Sequence, residues 1–142
     1  TKGVEVYIDS KPAPGFTLNA NYTFTESKDQ SAGSADNNLS LLRRPRHKAV
    51  FSANYNFTPA LNAGVDAIIV GKREDKDFST YPATRVTLGS YTLINASATY
   101  KVTGAIQIYG RLVNLLNSDY EEVYGYGTAK RSGYAGVKIS FE

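Results

Sequence analysis

Cysteine, tryptophan and methionine are all absent from this chain of 142 residues. The lack of cysteine excludes disulfide bonds, zinc sites built from thiolates and catalysis by a thiol. It fits an oxidising compartment as well as a reducing one, so it does not indicate where the protein works. The length is sufficient for one domain of ordinary size.

Long apolar runs are missing as well. No stretch approaches the roughly 18 consecutive apolar residues of a membrane-spanning helix, which excludes a helical membrane protein. The mean hydropathy of −0.33 is typical of a soluble protein. Each strand of a membrane barrel is polar on one face, however, so such an average hides the face that contacts lipid. The period of the apolar residues therefore has to distinguish a membrane barrel from a soluble protein.

Strong charge of one sign is also lacking. The formal net charge is +3, and no basic stripe with interleaved aromatic residues is present. A solvated surface is therefore favoured over a nucleic-acid partner.

No group of residues in the sequence has the spacing of a catalytic, cofactor or metal site. Ser, Asp and His do not occur in a nucleophile-elbow pattern. His47 is the only histidine, and its neighbours Arg46 and Lys48 disfavour a bound metal ion or an added proton. In the charged run 72–77 basic residues are interleaved with acidic ones, which predicts a solvated, self-compensated loop rather than a calcium site. We therefore expect neither an enzyme nor a cofactor.

Apolar and polar residues alternate with a period of two throughout the chain, as in β-strands. In the last segment Ala135, Val137, Ile139 and Phe141 share one face, while Tyr134, Gly136, Lys138 and Ser140 share the other. The same pattern predicts about seven strands. They cover residues 3–9, 16–25, 46–58, 61–72, 90–102 and 105–116, and the last follows residue 131 and runs to Phe141.

The connections between these strands alternate in length. Short turns lie at 11–15, 58–60 and 103–104, and long loops at 26–45, 73–89 and 117–131. This sorting is typical of outer-membrane barrels, which have short periplasmic turns and long outer loops. Aromatic residues lie beside the short turns on the apolar faces, as an interfacial girdle would: Phe16, Tyr55, Phe57 and Tyr100.

The predicted fold class is all-β, an antiparallel transmembrane β-barrel meander. Seven strands leave two unpaired edges, which hydrocarbon does not tolerate. The sheet is therefore expected to continue into a larger barrel. Two alternatives stay open: a small stand-alone outer-membrane barrel with a structural or adhesion role, and a soluble β-barrel that binds small molecules.

Several short motifs, in order along the chain, resemble those of one family. They are Gly3-Val4-Glu5-Val6, Leu42-Arg43-Arg44-Pro45-Arg46-His47, Val113-Asn114-Leu115 with Asp119-Tyr120, and Tyr124-Gly125-Tyr126 followed by Lys130-Arg131. With the final strand that ends in an aromatic residue, this set resembles the TonB-dependent outer-membrane receptors over nearly all of the chain. The segment 120–126 is most similar to the cobalamin-receptor branch.

This resemblance implies a bacterial outer-membrane barrel of about 22 strands closed by an N-terminal plug. Residues 1–142 would be the C-terminal part of that barrel, its last seven strands, without the plug domain. The receptor would import cobalamin or an iron-siderophore complex with energy from the TonB complex. Its implied partners are the missing barrel and plug, the TonB complex through the plug, the barrel-assembly machinery, and outer-membrane lipid and lipopolysaccharide.

Candidate site residues follow from this orientation. Tyrosine offers flat area and a hydroxyl group at low entropic cost, which suits capture of a large ligand; the alternative is loop packing. The ligand-binding candidates in the outer loops are Tyr81, Arg85, Tyr120, Tyr124 and Tyr126. A basic cluster at the outer rim could contact lipopolysaccharide phosphates or form ion pairs with neighbouring segments; it comprises Arg43, Arg44, Arg46 and Lys48. Phe141 is the candidate assembly signal, although Glu142 follows it where barrels of this family usually stop.

Overall fold

The computed structural model describes residues 1–141, which contain nine β-strands. The strands are β1 (Lys2–Ala13), β2 (Phe16–Glu26), β3 (His47–Asn56), β4 (Leu61–Val70), β5 (Arg73–Asp77), β6 (Thr84–Leu88), β7 (Tyr91–Lys101), β8 (Ile106–Val113) and β9 (Ser132–Ile139). No helix that could cross a membrane occurs in this part of the chain.

Seven strands form one antiparallel sheet in the order β1-β2-β3-β4-β7-β8-β9. The predicted seven-stranded meander is therefore confirmed. The prediction of a plain loop at 73–89 was wrong, because β5 and β6 pair there as a separate hairpin. Both faces of β5 are polar, so the apolar period that revealed the other strands is absent from it.

The ends of two strands differ from the sequence prediction. The predicted turn at 11–15 is shorter, because β1 continues past Pro12 to Ala13 with a register shift between Ser10 and Ala13. Proline is tolerated at such an irregularity, because the regular ladder hydrogen bonds are interrupted there. At the other end β9 stops at Ile139, so Phe141 follows the strand and is almost fully exposed. The expectation about Glu142 lies outside the described residues.

The ladder register keeps the two faces separate across the whole sheet. One row of paired residues runs through the apolar face as Leu18, Ala53, Val65, Ala96, Leu112 and Gly133. A neighbouring row on the other face comprises Asn19, Ser52, Asp66 and Asn95. A slip of one residue in any pair would exchange the faces of that strand.

The apolar face is not packed against a second layer. Val65, Phe51 and Val137 on this face are 48%, 47% and 60% exposed. A soluble sandwich would bury such side chains between two sheets. Contiguous exposure of this extent indicates contact with lipid, which argues against the soluble alternative. Within residues 1–141, β1 and β9 are the two edges of an open sheet, which a stand-alone barrel would have to close.

The small buried core lies at the long-loop end of the sheet. Only Val70, Leu88 and Leu93 are buried apolar residues in the described chain, and they stand at or near the ends of β4, β6 and β7. Val70 and Leu93 point to the polar face, so the outer segments fold inward over that face. The conformation of the outer loops is therefore maintained largely by polar contacts.

The face assignment is tested by placing a charge near the middle of β4. We expect Val65→Arg to destabilise the barrel by about 2–4 kcal/mol, because the charge enters the centre of the bilayer. Ile139→Arg should cost only about 0–1 kcal/mol, because Ile139 pairs with Ile106 beside a short turn and so lies near the interface. The measurement is urea unfolding of the intact receptor in lipid vesicles.

Asn54→Arg is the matched control, because Asn54 neighbours Val65 in the sheet but points to the polar face. This variant should unfold at the urea concentration of the parent protein. If Asn54→Arg destabilised the receptor more than Val65→Arg, the assignment of the lipid-facing and lumen-facing sides would be reversed.

Candidate ligand-binding site in the outer loops

A buried carboxylate joins the three outer segments. Asp75 in β5 is fully buried. Its Oδ1 accepts hydrogen bonds from Arg43 Nε and from the Lys76 amide, both at 2.9 Å, and its Oδ2 accepts one from the Tyr124 amide at 2.8 Å. Removing a carboxylate from water is costly unless it is paired and hydrogen-bonded in this way. Asp75 therefore fixes the hairpin against both long loops.

The partners of Asp75 also set its charge state. Burial raises the pKa of the carboxyl, but the hydrogen bonds from Tyr124, Lys76 and Arg43 outweigh it and hold the pKa below its ordinary value. The folded pKa is thus below the unfolded one, so the charged form stabilises the folded loops above about pH 4. That stabilisation is lost as the pH falls through the folded pKa.

Arg73 makes a second connection between the hairpin and the loop at 117–131. Its guanidinium is buried, donates to the carbonyl oxygens of Gly89 and Glu121, and lies 5.2 Å from the ring centre of Tyr91. An arginine over an aromatic ring gains a cation–π attraction. The prediction of a solvated loop at 72–77 was therefore wrong for Arg73 and Asp75.

Asp36 connects the hairpin to the loop at 26–45. It forms ion pairs with Lys76 and with Arg85, the latter at 3.1 Å from Nη1 to Oδ1. The hydrogen bond from Lys76 is the strongest influence that lowers the pKa of Asp36. Arg85 also donates to the Ser40 carbonyl at 2.7 Å. Arg85 thus supports the loops rather than facing an open cavity.

Asn114 closes the base of the loop at 117–131. It is buried, and its φ of 53° is left-handed, a conformation that asparagine tolerates better than most residues. Its side-chain amide donates to the carbonyls of Ser118 and Ala129, while its side-chain oxygen accepts from the Ser118 amide at 2.8 Å. In the sequence Asn114 stands out only as part of the Val113-Asn114-Leu115 motif; an asparagine directly after a strand was the available signal for this role.

A groove of about 930 Å³ lies between the hairpin and the loop at 117–131. Its aromatic side chains Phe78, Tyr124 and Tyr126 are all exposed. Two basic and two acidic residues complete the polar part of its lining: Arg43, Lys76, Asp77 and Glu122. Exposed rings and balanced charge suit a large ligand with flat apolar surfaces and polar edges.

The structure brings together only some of the predicted ligand residues. Tyr124 and Tyr126 line the groove. Tyr120 packs against Tyr91 with ring centres 4.5 Å apart and borders a smaller cavity of about 460 Å³. Tyr81 is fully exposed in the turn between β5 and β6 and does not line the groove.

The four basic residues at 43–48 do not form one cluster. Arg43 is paired with Asp75 and lines the groove, and Arg46 approaches Glu26 at 3.8 Å. Lys48 pairs with Val70 and points to the polar face of β3, away from lipid. His47 begins β3, where its Nδ1 lies 2.8 Å from the Tyr22 hydroxyl.

The family follows from a match that spans most of the chain. The family model described as TonB dependent receptor-like, beta-barrel matches residues 1–115. The chain belongs to the TonB-dependent receptors. The resemblance drawn from the motifs is confirmed, and a receptor barrel of this family lies in the bacterial outer membrane. The family consists of receptors and transporters rather than enzymes.

Individual relatives agree with this assignment. The chain is 36% identical over 101 residues to the vitamin B12 transporter BtuB of Vibrio cholerae, which covers 71% of this chain and 16% of that protein. Its fold is similar to the ferripyoverdine receptor of the Pseudomonas aeruginosa outer membrane, with a TM-score of 0.80 at 19% identity over 98% of this chain and 19% of that one.

A second solved structure has the same fold. The ferric-catecholate import receptor Fiu of Escherichia coli K12 gives a TM-score of 0.77 at 20% identity over 98% of this chain and 20% of that one. The chain therefore spans about a fifth or less of the length of these relatives. It corresponds to one section of such a barrel wall.

Neutralising Asp75 should loosen the outer loops. In Asp75→Asn the charge-assisted hydrogen bond to Arg43 is lost, which we expect to cost about 1.5–3 kcal/mol. Hydrogen exchange at the Tyr124 amide should then accelerate about tenfold or more. The parent protein should show the same acceleration once the pH is low enough to protonate Asp75, after correction for the intrinsic pH dependence of exchange.

Asp77→Asn is the control, because among the described residues the Asp77 side chain is hydrogen-bonded only to the Ser79 amide of its own turn. Exchange at Tyr124 should be unchanged in this variant. Equal protection in the Asp75 and Asp77 variants would contradict the role given to Asp75.

Proposed function

We propose that the receptor containing this chain imports a large, scarce nutrient, cobalamin or an iron-siderophore complex, across the outer membrane. The observation that carries this proposal is the aromatic groove at the outer end, whose walls are fixed by Asp75. Family membership supports import, and in the family's mechanism the energy comes from the TonB complex acting through the plug.

The ligand contacts are assigned by position in the groove. Tyr124 and Tyr126 present exposed rings to the ligand, and Tyr120 contacts it at the margin of the neighbouring cavity. Tyr81, in the turn between β5 and β6, makes a first contact outside the groove. Arg85 positions the loop at 26–45 through Asp36.

Cobalamin is the first candidate ligand and an iron-siderophore the second. One sequence relative, 36% identical over 101 residues, is named a vitamin B12 transporter. The equal number of basic and acidic residues in the groove suits a ligand with little net charge. The siderophore alternative is supported by structural neighbours that are ferripyoverdine and ferric-catecholate receptors.

We propose that residues 1–142 form the C-terminal part of the barrel in the intact receptor. In this proposal the rest of the barrel pairs with the open edges of the sheet, and the plug fills the lumen. Phe141, exposed beyond β9, is the contact for the barrel-assembly machinery.

Of the four basic residues at 43–48, we assign the lipopolysaccharide contact to Arg44 and Arg46 at the outer rim. Both side chains are exposed, and arginine binds phosphate oxygens through two parallel hydrogen bonds. We expect Arg44→Gln with Arg46→Gln to reduce the lipopolysaccharide that co-purifies with the receptor. Lys48→Gln is the control and should leave that amount unchanged, because Lys48 points to the lumen. An equal effect of all three changes would contradict this contact.

Binding of labelled ligands to cells tests the groove. We expect Tyr126→Ala to weaken binding of the transported ligand about tenfold, as for an exposed aromatic anchor. Tyr81→Ala should have a smaller effect, because Tyr81 lies outside the groove. Cyanocobalamin and a ferric siderophore are tested in parallel, so the ligand that binds the parent protein identifies the class. Unchanged binding of that ligand in Tyr126→Ala would contradict the site.

A further inference from the structure

Arg43 has a backbone conformation that arginine seldom adopts. Its φ is 58°, in the left-handed region. The other non-glycine residues with a positive φ in the described chain are all asparagines, which tolerate this conformation better than most residues: Asn38, Asn114 and Asn117. The backbone alone therefore favours asparagine or glycine at position 43. An arginine at such a position indicates that its side chain has a role that offsets the strain.

Contacts with the hairpin of β5 and β6 hold Arg43 in this conformation. Its amide donates to the Glu74 carbonyl at 2.6 Å. Its Nε donates to Oδ1 of the buried Asp75 at 2.9 Å. Backbone and side chain are thus both attached to β5, so the guanidinium is already oriented before a ligand arrives. Such preorganisation lowers the cost of ordering a side chain on binding.

The ion pair with Asp75 leaves most donors of Arg43 available. Only Nε takes part in it, because the second carboxylate oxygen of Asp75 accepts from the Tyr124 amide. Nη1 and Nη2 have no hydrogen-bond partner among the described residues. The side chain is 45% exposed and lines the groove. Because Nε faces buried Asp75, the exposed part of the guanidinium is the end that carries the Nη groups.

Lys76, the second cation in the lining of the groove, differs from Arg43. Its ammonium group is paired with Asp36, and its side chain is only 21% exposed. Asp77 and Glu122 balance the two cations in the lining. A small anion by itself is therefore not concentrated in the groove. An anionic group has to be part of a larger molecule that also contacts the aromatic rings.

The arrangement of rings and donors indicates the chemistry of the ligand. Arg43 and Tyr124 bind the same carboxylate, one at each oxygen, so the cation lies beside this tyrosine. Tyr126, which is 71% exposed, lines the same groove. Phosphate and carboxylate are the groups that accept two parallel N–H bonds from a guanidinium. The matching ligand has a flat apolar part next to such an oxyanion.

We propose that Arg43 binds an oxyanion, a phosphate or a carboxylate, at the edge of the imported ligand while Tyr124 and Tyr126 contact its flat part. This inference rests on the import function proposed above and adds the chemical group that the groove recognises. Two sources carry this chemistry: the phosphodiester of cobalamin and the free carboxylates of some siderophores.

Paired ligands that differ in the oxyanion test this role. Binding to intact receptor in outer membranes is measured for cyanocobalamin and for dicyanocobinamide, which lacks the phosphodiester. A ferric siderophore that binds the parent protein is compared with its derivative whose free carboxylates are converted to amides. We expect Arg43→Lys to weaken binding of the oxyanion ligand about tenfold and that of its counterpart less than about twofold. Lysine keeps a charge beside Asp75 but lacks the parallel N–H groups.

The comparison within one variant separates ligand contact from loop support. A loosened loop would weaken both members of a pair equally, whereas a lost oxyanion contact weakens only one. Arg131→Lys is the matched control, because Arg131 is exposed in the loop at 117–131 and does not line the groove. Binding of both ligands should be unchanged in this variant.

Chemical modification of the parent protein supplies a second readout that needs no substitution. Phenylglyoxal reacts with exposed arginines, and the products are located by mass spectrometry. Ligand at about ten times its Kd should slow the modification of Arg43 about tenfold. Modification of Arg131 should proceed at the same rate with and without ligand.

Two results would overturn the role of Arg43 alone. One is an equal effect of Arg43→Lys on both members of a ligand pair, including no effect on either. The other is modification of Arg43 at the same rate with and without bound ligand. A parent receptor that binds neither cyanocobalamin nor a ferric siderophore would instead overturn the import function, and the inference that rests on it would fall with it.

Discussion

Every backbone N–H and C=O group of a strand in hydrocarbon has to be hydrogen-bonded to a neighbouring strand, because lipid offers no substitute for water. In an antiparallel ladder this constraint also fixes which side chains share a face. The continuous apolar row from Leu18 on β2 to Gly133 on β9 results from it. The polar face follows from the same register, and the outer segments fold inward over it at the long-loop end.

At the outer end, buried polar groups take the place of a hydrophobic core. Asp75, Arg73 and Asn114 are each buried and hydrogen-bonded to more than one segment. A buried ion pair contributes little net stability, because desolvation offsets much of the attraction. The ion pair makes one conformation of the loops more stable than the alternatives. Any conformation that separates Asp75 from Arg43 leaves a buried charge unpaired. The walls of a ligand groove have to be held in one conformation in this way.

The outer groove and the polar face of the last three sheet strands differ in chemistry. The outer groove combines exposed aromatic rings with balanced charge, which suits a large ligand from the medium. The polar face of β7 to β9 carries the cations Lys101, Arg111 and Lys138, with no Asp or Glu on those strands. The strands hold these two surfaces apart, so substitutions at one are expected to leave the other intact.

The sequence alone determined the seven strands of the main sheet, their lipid-facing sides, the sorting of short turns and long loops, and the family. These features depend on a period of two that each strand carries within itself. Only the tertiary structure decided that 73–89 is a hairpin, that Asp75 is buried, and that Tyr124 and Tyr126 share a groove without Tyr81. Asp75 meets Arg43 across 32 residues and Tyr124 across 49, and no local period encodes contacts of that separation.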